Sequence, residues 1–182
     1  MNRRRPISKI DFLSFTVIFS TAQEIHKNRD EPIPDFASDS EARVTSCLVT
    51  PFQSFGGKSL YPSFNKKAAI LFYLLVKNHC LRNGNKRLAI LTLTYFVFIN
   101  GLELRVSDQL LYCLAKKTAE SKNQEKMLRE IEMTLRRHLH KQSFLHRTVF
   151  SAISIQNTRV SKYRFILRRV KLKEAIIRAL PV

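Results

Sequence analysis

The sequence predicts an all-α domain that carries one small β-hairpin and is followed by a basic extension. Three observations carry this. Apolar residues recur at helical spacing through most of the chain up to residue 142. Two runs, Phe64–Asn78 and the stretch that follows Gly84, are apolar almost all round and read as central, buried helices. Strand-type signals are confined to Gln53–Pro62, where Gly56-Gly57 permit a tight turn between Phe52/Phe55 and Leu60/Tyr61. The helical domain is bounded at 10–142 and the extension at 143–182.

In chain order, residues 1–9 are a basic lead-in. Phe15, Ile18 and Phe19 place a first helix over Ser14–Lys27. Asn28–Ser40, with Pro32 and Pro34, reads as loop. Ser40–Val49 is a short amphipathic helix that ends before Pro51. The hairpin follows, and Ser63 caps the helix Phe64–Asn78. Gly84 breaks the backbone before the second apolar helix, which Asn100-Gly101 closes as a C-terminal cap. Ser107-Asp108 start a helix over Gln109–Glu120, with Leu110, Leu111, Leu114 and Ala115 on its inner face. Gln124–His140 is the last, with Leu128, Ile131, Leu135 and Leu139 on one stripe. No internal repeat is visible.

The bulk numbers limit the function classes. With 182 residues and 45% hydrophobic content, the chain can bury a core of its own and is not disordered throughout. A formal net charge of +18 predicts attraction to polyanions: nucleotide phosphates, nucleic acid or an acidic partner. The three cysteines are far apart in sequence, odd in number and form no C-x-x-C pair, so neither a disulfide framework nor a zinc site is indicated. A reducing cytoplasm is the simplest location. Ile7–Phe19 is interrupted by Lys9 and Asp11 and makes no secretory signal. The best apolar run, Leu88–Ile99, falls short of the ~20 residues a membrane span needs, so no transmembrane segment is expected.

The chemistry concentrates in His79–Arg87, His-Cys-Leu-Arg-Asn-Gly-Asn-Lys-Arg. Gly-Asn-Lys-Arg opening a helix has the form of a phosphate-holding turn. Backbone N–H groups at a helix N-terminus face an anion, and Lys86 and Arg87 add charge. Those two cations are disfavoured by the helix dipole unless an anion compensates them. His79 stands just upstream, where a general base is needed. Cys80 beside it is not read as a nucleophile, because adjacent side chains seldom point together.

The stretch resembles the core motif of the Fic/Doc family, His-x-Phe-x-(Asp/Glu)-Gly-Asn-(Gly/Lys)-Arg. Lys86 stands where the Doc (death-on-curing) branch has lysine. The flanks agree. Pro51–Pro62 resembles the flap of Doc-like proteins, and Lys67-Ala-Ala-Ile-Leu through Asn78-His79 resembles their helix before the motif. The resemblance covers roughly residues 10–135 and implies a Fic/Doc-like helical bundle with a hairpin flap.

The resemblance also implies an activity: transfer of a nucleotide-derived group from ATP to a protein hydroxyl. In the Doc branch it is a phosphoryl group placed on elongation factor Tu by a toxin that a small antitoxin neutralises; in the Fic branch it is AMP. Position by position, His79 would deprotonate the hydroxyl. Gly84 and Asn85 would form the anion hole with backbone N–H groups, and Lys86 and Arg87 would hold phosphates. The flap residues Gly56, Gly57, Lys58, Ser59, Leu60 and Tyr61 would register the target by strand addition.

Three positions depart from the family pattern. Cys80 replaces the frequent proline, and Leu81 replaces the phenylalanine that anchors the motif in the core. Asn83 replaces the carboxylate that binds Mg²⁺, and the chain holds no Asp or Glu between Glu41 and Glu103. An asparagine carbonyl can ligate Mg²⁺ but brings no charge, so the metal would bind weakly without nucleotide. The alternative is therefore a catalytically weakened family member that binds nucleotide, a partner or nucleic acid. The extension supports the last of these, since Arg159, Lys162, Arg164, Arg168, Arg169, Lys171 and Lys173 interleave with Tyr163, Phe165 and Ile166. A solvated tail and an anionic membrane surface are the other readings of it.

Overall fold

The computed structural model describes residues 6–27, 32–35 and 39–142. The basic extension and the three readings made of it lie outside the described residues. Six helices and two small sheets make up the described chain.

Helix α1, Phe12–His26, begins where the Asp11 carboxylate accepts the Ser14 N–H at 2.6 Å, earlier than the apolar spacing alone indicated. Its Phe15, Ile18, Phe19 and Ala22 are buried. Helix α2, Ser40–Val49, buries Val44, Cys47 and Leu48, one stripe of an amphipathic helix. A 3-10 turn over Thr50–Phe52 leads to strands β1, Ser54–Phe55, and β2, Lys58–Ser59. They pair antiparallel, Phe55 opposite Lys58, and Gly56 and Gly57 turn the chain with φ of 55° and 76°.

Helices α3, Phe64–Lys77, and α4, Asn85–Ile99, form the centre. Ser63 Oγ caps α3 by accepting the Lys66 N–H. Every residue of α3 from Lys67 to Val76 except Leu74 is buried, and the helix packs most extensively on α4 and on α6, Gln124–His138. In α4 the buried face is Leu88, Ala89, Thr92, Leu93, Phe96 and Val97, while Ile90, Leu91 and Tyr95 are half-buried. Phe96 stacks on Phe64 at 5.1 Å and meets Phe52 edge-on at 6.2 Å, which ties the base of the hairpin to the far end of α4.

Three expectations are corrected here. Strands are not confined to the hairpin: β3, Leu102–Leu104, pairs with β4, Leu139–Lys141. That pairing ends α6 at His138, so Leu139 belongs to a strand and not to the helical stripe. The Arg105 N–H reaches the His138 carbonyl at 2.9 Å, and the Gln142 amide donates to the Phe98 and Leu102 carbonyls. Partners so distant in sequence leave no local periodicity. Leu110 is not an inner residue of α5, Asp108–Glu120, but 41% exposed; Leu111, Leu114, Ala115 and Thr118 face inward. The inner stripe of α6 is Met127, Ile131 and Leu135, with Leu128 half-buried beside it.

Candidate active site

The turn between α3 and α4 is built from both sides. At its start Asn78 closes α3, its N–H on the Leu74 carbonyl at 2.8 Å. His79 then takes φ of 45°, the only non-glycine with positive φ among the described residues. A left-handed non-glycine residue costs on the order of 1–3 kcal/mol and persists where its surroundings over-determine it. His79 is exposed, and its carbonyl accepts Arg43 Nη1 of α2 at 3.4 Å.

Cys80 and Leu81 turn inward, 2% and 3% exposed, so Leu81 anchors the turn in the core. The Asn85 side chain holds both backbone groups of Leu81: Oδ1 accepts its N–H at 2.8 Å and Nδ2 donates to its carbonyl at 2.7 Å. Asn85 therefore fastens the turn with its side chain, beyond any contribution its backbone N–H makes to an anion.

Gly84 is the N-cap of α4, with φ of 87° and no side chain to satisfy the first turn. It is buried because Ile33 packs over it: a Cβ placed on Gly84 would lie 2.8 Å from Ile33 Cγ1. The Gly84 N–H donates to Asn83 Oδ1 at 2.6 Å. That N–H points to a ligand only after the Asn83 side chain swings aside. Lys86 and Arg87 are half-buried in the first turn of α4, which contains no acidic residue.

A divalent cation needs hard oxygen donors, carboxylates above all. Asn83 offers one neutral oxygen already engaged with Gly84, and among the described residues no group of three or more His, Cys, Asp and Glu could hold a metal. The residues do not fit a protein-held Mg²⁺. They do fit phosphate, through an uncapped helix N-terminus, two cations and a surrounding stretch without acids.

The flap residues Gly56, Gly57, Lys58, Ser59 and Leu60 are exposed, with Tyr61 half-buried, and the neighbouring Phe55 is 83% exposed. The mount of the flap is Lys67, itself 8% exposed. Its Nζ donates to the Pro51 carbonyl at 2.8 Å and to Ser59 Oγ at 3.3 Å, and it lies 4.9 Å above the Phe52 ring. Burial lowers the Lys67 pKa, and the charge of Lys9, on the same ring at 5.0 Å, lowers it further.

The structure brings His79, Asn83, Gly84, Asn85, Lys86 and Arg87 into one turn and mounts the flap on Lys67, in the first turn of α3. The flap base is tied to the turn through α2 as well: Pro51 follows Cys47, whose Sγ meets Cys80 Sγ at 3.6 Å. Two contributors escaped sequence reasoning. Arg43 reaches the turn from a helix 36 positions earlier. Ile33 reaches it from a loop, and its only local signal was an apolar residue held between two prolines.

Residues 12–97, from the start of α1 to the last turns of α4, match the Fic/DOC family. No curated protein and no solved structure shows detectable similarity to the chain.

Proposed function

We propose that the Fic/DOC family domain of residues 12–97 works as a protein-modifying transferase that moves a phosphoryl group from ATP to a hydroxyl of a target protein, in the manner of the Doc branch. The observation that carries this is the α4 N-terminus. It is an acid-free, uncapped first turn bearing Lys86 and Arg87, directly behind the left-handed His79. Family members use ATP with Mg²⁺. The residues here give the metal no carboxylate, and no step is assigned to it.

The exposed His79 imidazole takes the proton of the target hydroxyl as its oxygen attacks phosphorus, and ADP leaves. Arg87 holds phosphate oxygens in a forked pair of hydrogen bonds, and Lys86 acts as a point charge. The backbone N–H groups of Gly84 and Asn85 complete the anion site once Asn83 releases Gly84. The flap adds the target as a strand.

Elongation factor Tu is the proposed target, a small antitoxin the proposed partner and the cytoplasm the proposed location. Among the described residues no helix is long and apolar enough to cross a membrane. ATP labelled at the γ or the α phosphate, incubated with lysate, tests the reading. Transfer of γ label that is lost on His79→Ala supports it; transfer of α label makes the protein an AMP transferase; no transfer of either refutes catalysis.

Asn83 favours a second reading, a weakened enzyme that keeps the nucleotide site. Asn83→Asp restores a carboxylate and should then raise Mg²⁺-dependent transfer at least tenfold, about 1.4 kcal/mol in the barrier. An unchanged rate removes metal loss as the cause.

A further inference from the structure

Cys47 of α2 and Cys80 of the His79 turn are 33 positions apart in sequence, yet their Sγ atoms approach to 3.6 Å. Both thiols are free and buried, at 0% and 2% exposure. The transfer chemistry proposed above uses neither. They stand at the seam between α2 and the turn, where Arg43, one helical turn before Cys47, donates to the His79 carbonyl and the Asn78 amide donates to Cys47 Sγ at 3.4 Å.

The seam lies beneath a shallow surface cavity, with both sulfurs buried under it. A surface cavity of about 480 Å³ is lined by Ala42, Arg43, Ser46 and Asn78. Ser46 is the chain neighbour of Cys47, and Asn78 touches its sulfur. Hydrogen peroxide, little larger than water, can collect in that depression and needs only a small opening at Ser46 or Asn78 to meet the sulfurs. The two sulfurs are also unequal. The hydrogen bond between the two sulfurs holds the Cys80 thiol below its ordinary range against the opposing effect of burial, with Arg43 adding its charge; the same contact, then burial, pushes Cys47 up. The Arg43 guanidinium, held on the carbonyl of His79, the residue before Cys80, favours a thiolate there, so Cys80 is assigned as the attacking sulfur and Cys47 as the resolving one.

We propose that Cys47 and Cys80 form a peroxide-reactive dithiol that closes to a disulfide and thereby shuts the His79 turn. The Cys80 thiolate attacks one peroxide oxygen; the O–O bond breaks, and the departing hydroxide takes a proton to become water, leaving Cys80 sulfenic acid. The Cys47 sulfur then attacks the Cys80 sulfur. The S–O bond breaks, and the hydroxyl leaves as a second water with the Cys47 proton. Two thiols lose two electrons and peroxide gains them.

Closing from 3.6 Å to the roughly 2.05 Å of an S–S bond brings the two sulfurs about 1.5 Å closer and fastens α2 covalently to the residue after His79, so the turn must absorb whatever part side-chain rotation does not. A displacement of about 1 Å in a catalytic group can cost 10²-fold in rate. This control of the site rests on the transferase reading above; the cross-link does not.

The test treats the reduced full-length chain with hydrogen peroxide, then maps peptides without reductant. A Cys47–Cys80 linked pair is expected, two hydrogens lighter than its separate peptides and cleaved by dithiothreitol. It should persist in Cys113→Ser, whose thiol is exposed on α5, and vanish in Cys47→Ser. Oxidation of Cys80 to sulfinic acid with no linked pair, or consumption of Cys113 alone, overturns the proposal, and both outcomes are read on the wild-type chain whether or not a variant folds. Label transfer, measured before and after oxidation, should fall at least tenfold and recover with dithiothreitol. A linked chain that transfers at the reduced rate overturns the control of the site. A reduced chain that never transfers refutes the transferase reading and leaves the peptide map to decide the cross-link.

Discussion

Replacing Gly84 by alanine strains the turn in two separable ways. The backbone there has φ of 87°, and an alanine held in a left-handed conformation costs about 1–2 kcal/mol. The new Cβ would also stand 2.8, 3.3 and 3.4 Å from three carbons of Ile33, inside the ~3.5–4.0 Å of a good carbon contact. Ile33 is 4% exposed and sits between Pro32 and Pro34, whose fixed φ angles leave its backbone little room to yield. Overpacking of this kind costs about 1–3 kcal/mol. The two parts together give about 2–5 kcal/mol, and each kcal/mol lowers the melting temperature by roughly 2–4 °C in a domain of this size. Denaturant unfolding of wild type, Gly84→Ala, Ile33→Ala and the double variant separates them. Ile33→Ala removes the atoms that Cβ meets, so the double variant should regain the packing part and keep the backbone part. Costs that add within about 0.5 kcal/mol would show that the two residues do not press on each other. A total loss below about 1 kcal/mol for Gly84→Ala would show that the left-handed turn is not held as described.

Two further variants probe the support of the site. Thr92 is fully buried in α4 and its Oγ1 has no hydrogen-bond partner among the described residues, so Thr92→Val should raise stability by about 1 kcal/mol; a loss in calorimetry would mean the hydroxyl is satisfied. Lys67 has its pKa lowered by burial and by Lys9, so between its folded and unfolded values the unfolded chain binds more protons. Stability contributed by Lys67 is therefore lowest where the ammonium is charged and rises with pH through that window. Wild type should gain on Lys67→Met as pH rises toward the ordinary lysine value, as read by urea midpoints at several pH values, and a flat difference would refute it. The same variant loses the bonds to Pro51 and Ser59, and its flap should be cut faster by protease at Gly56-Gly57.

The sequence by itself determined the features whose partners lie within a few residues. Ser63 and Ser107 cap their helices, Asn100-Gly101 closes α4, and Gly56-Gly57 turns the flap, because each satisfies backbone groups of its own segment. The Gly-Asn-Lys-Arg start of α4 was legible for the same reason. A helix N-terminus with two cations beside it is a local pattern, and the proposed anion site was read from that pattern. Tertiary structure decided what crosses long separations. Leu104 meets Leu139 and makes a second sheet, which shortens α6. Leu110 faces solvent because α5 turns a neighbouring stripe inward. Within the site, Ile33 seals Gly84, Arg43 holds the His79 carbonyl, and Cys47 comes up against Cys80. None of these pairs leaves a local pattern. They exist only because α2 and the Pro32–Asp35 segment pack over the end of the α3–α4 hairpin, where burial of apolar surface is non-directional and the final fit of the whole core chooses the neighbours.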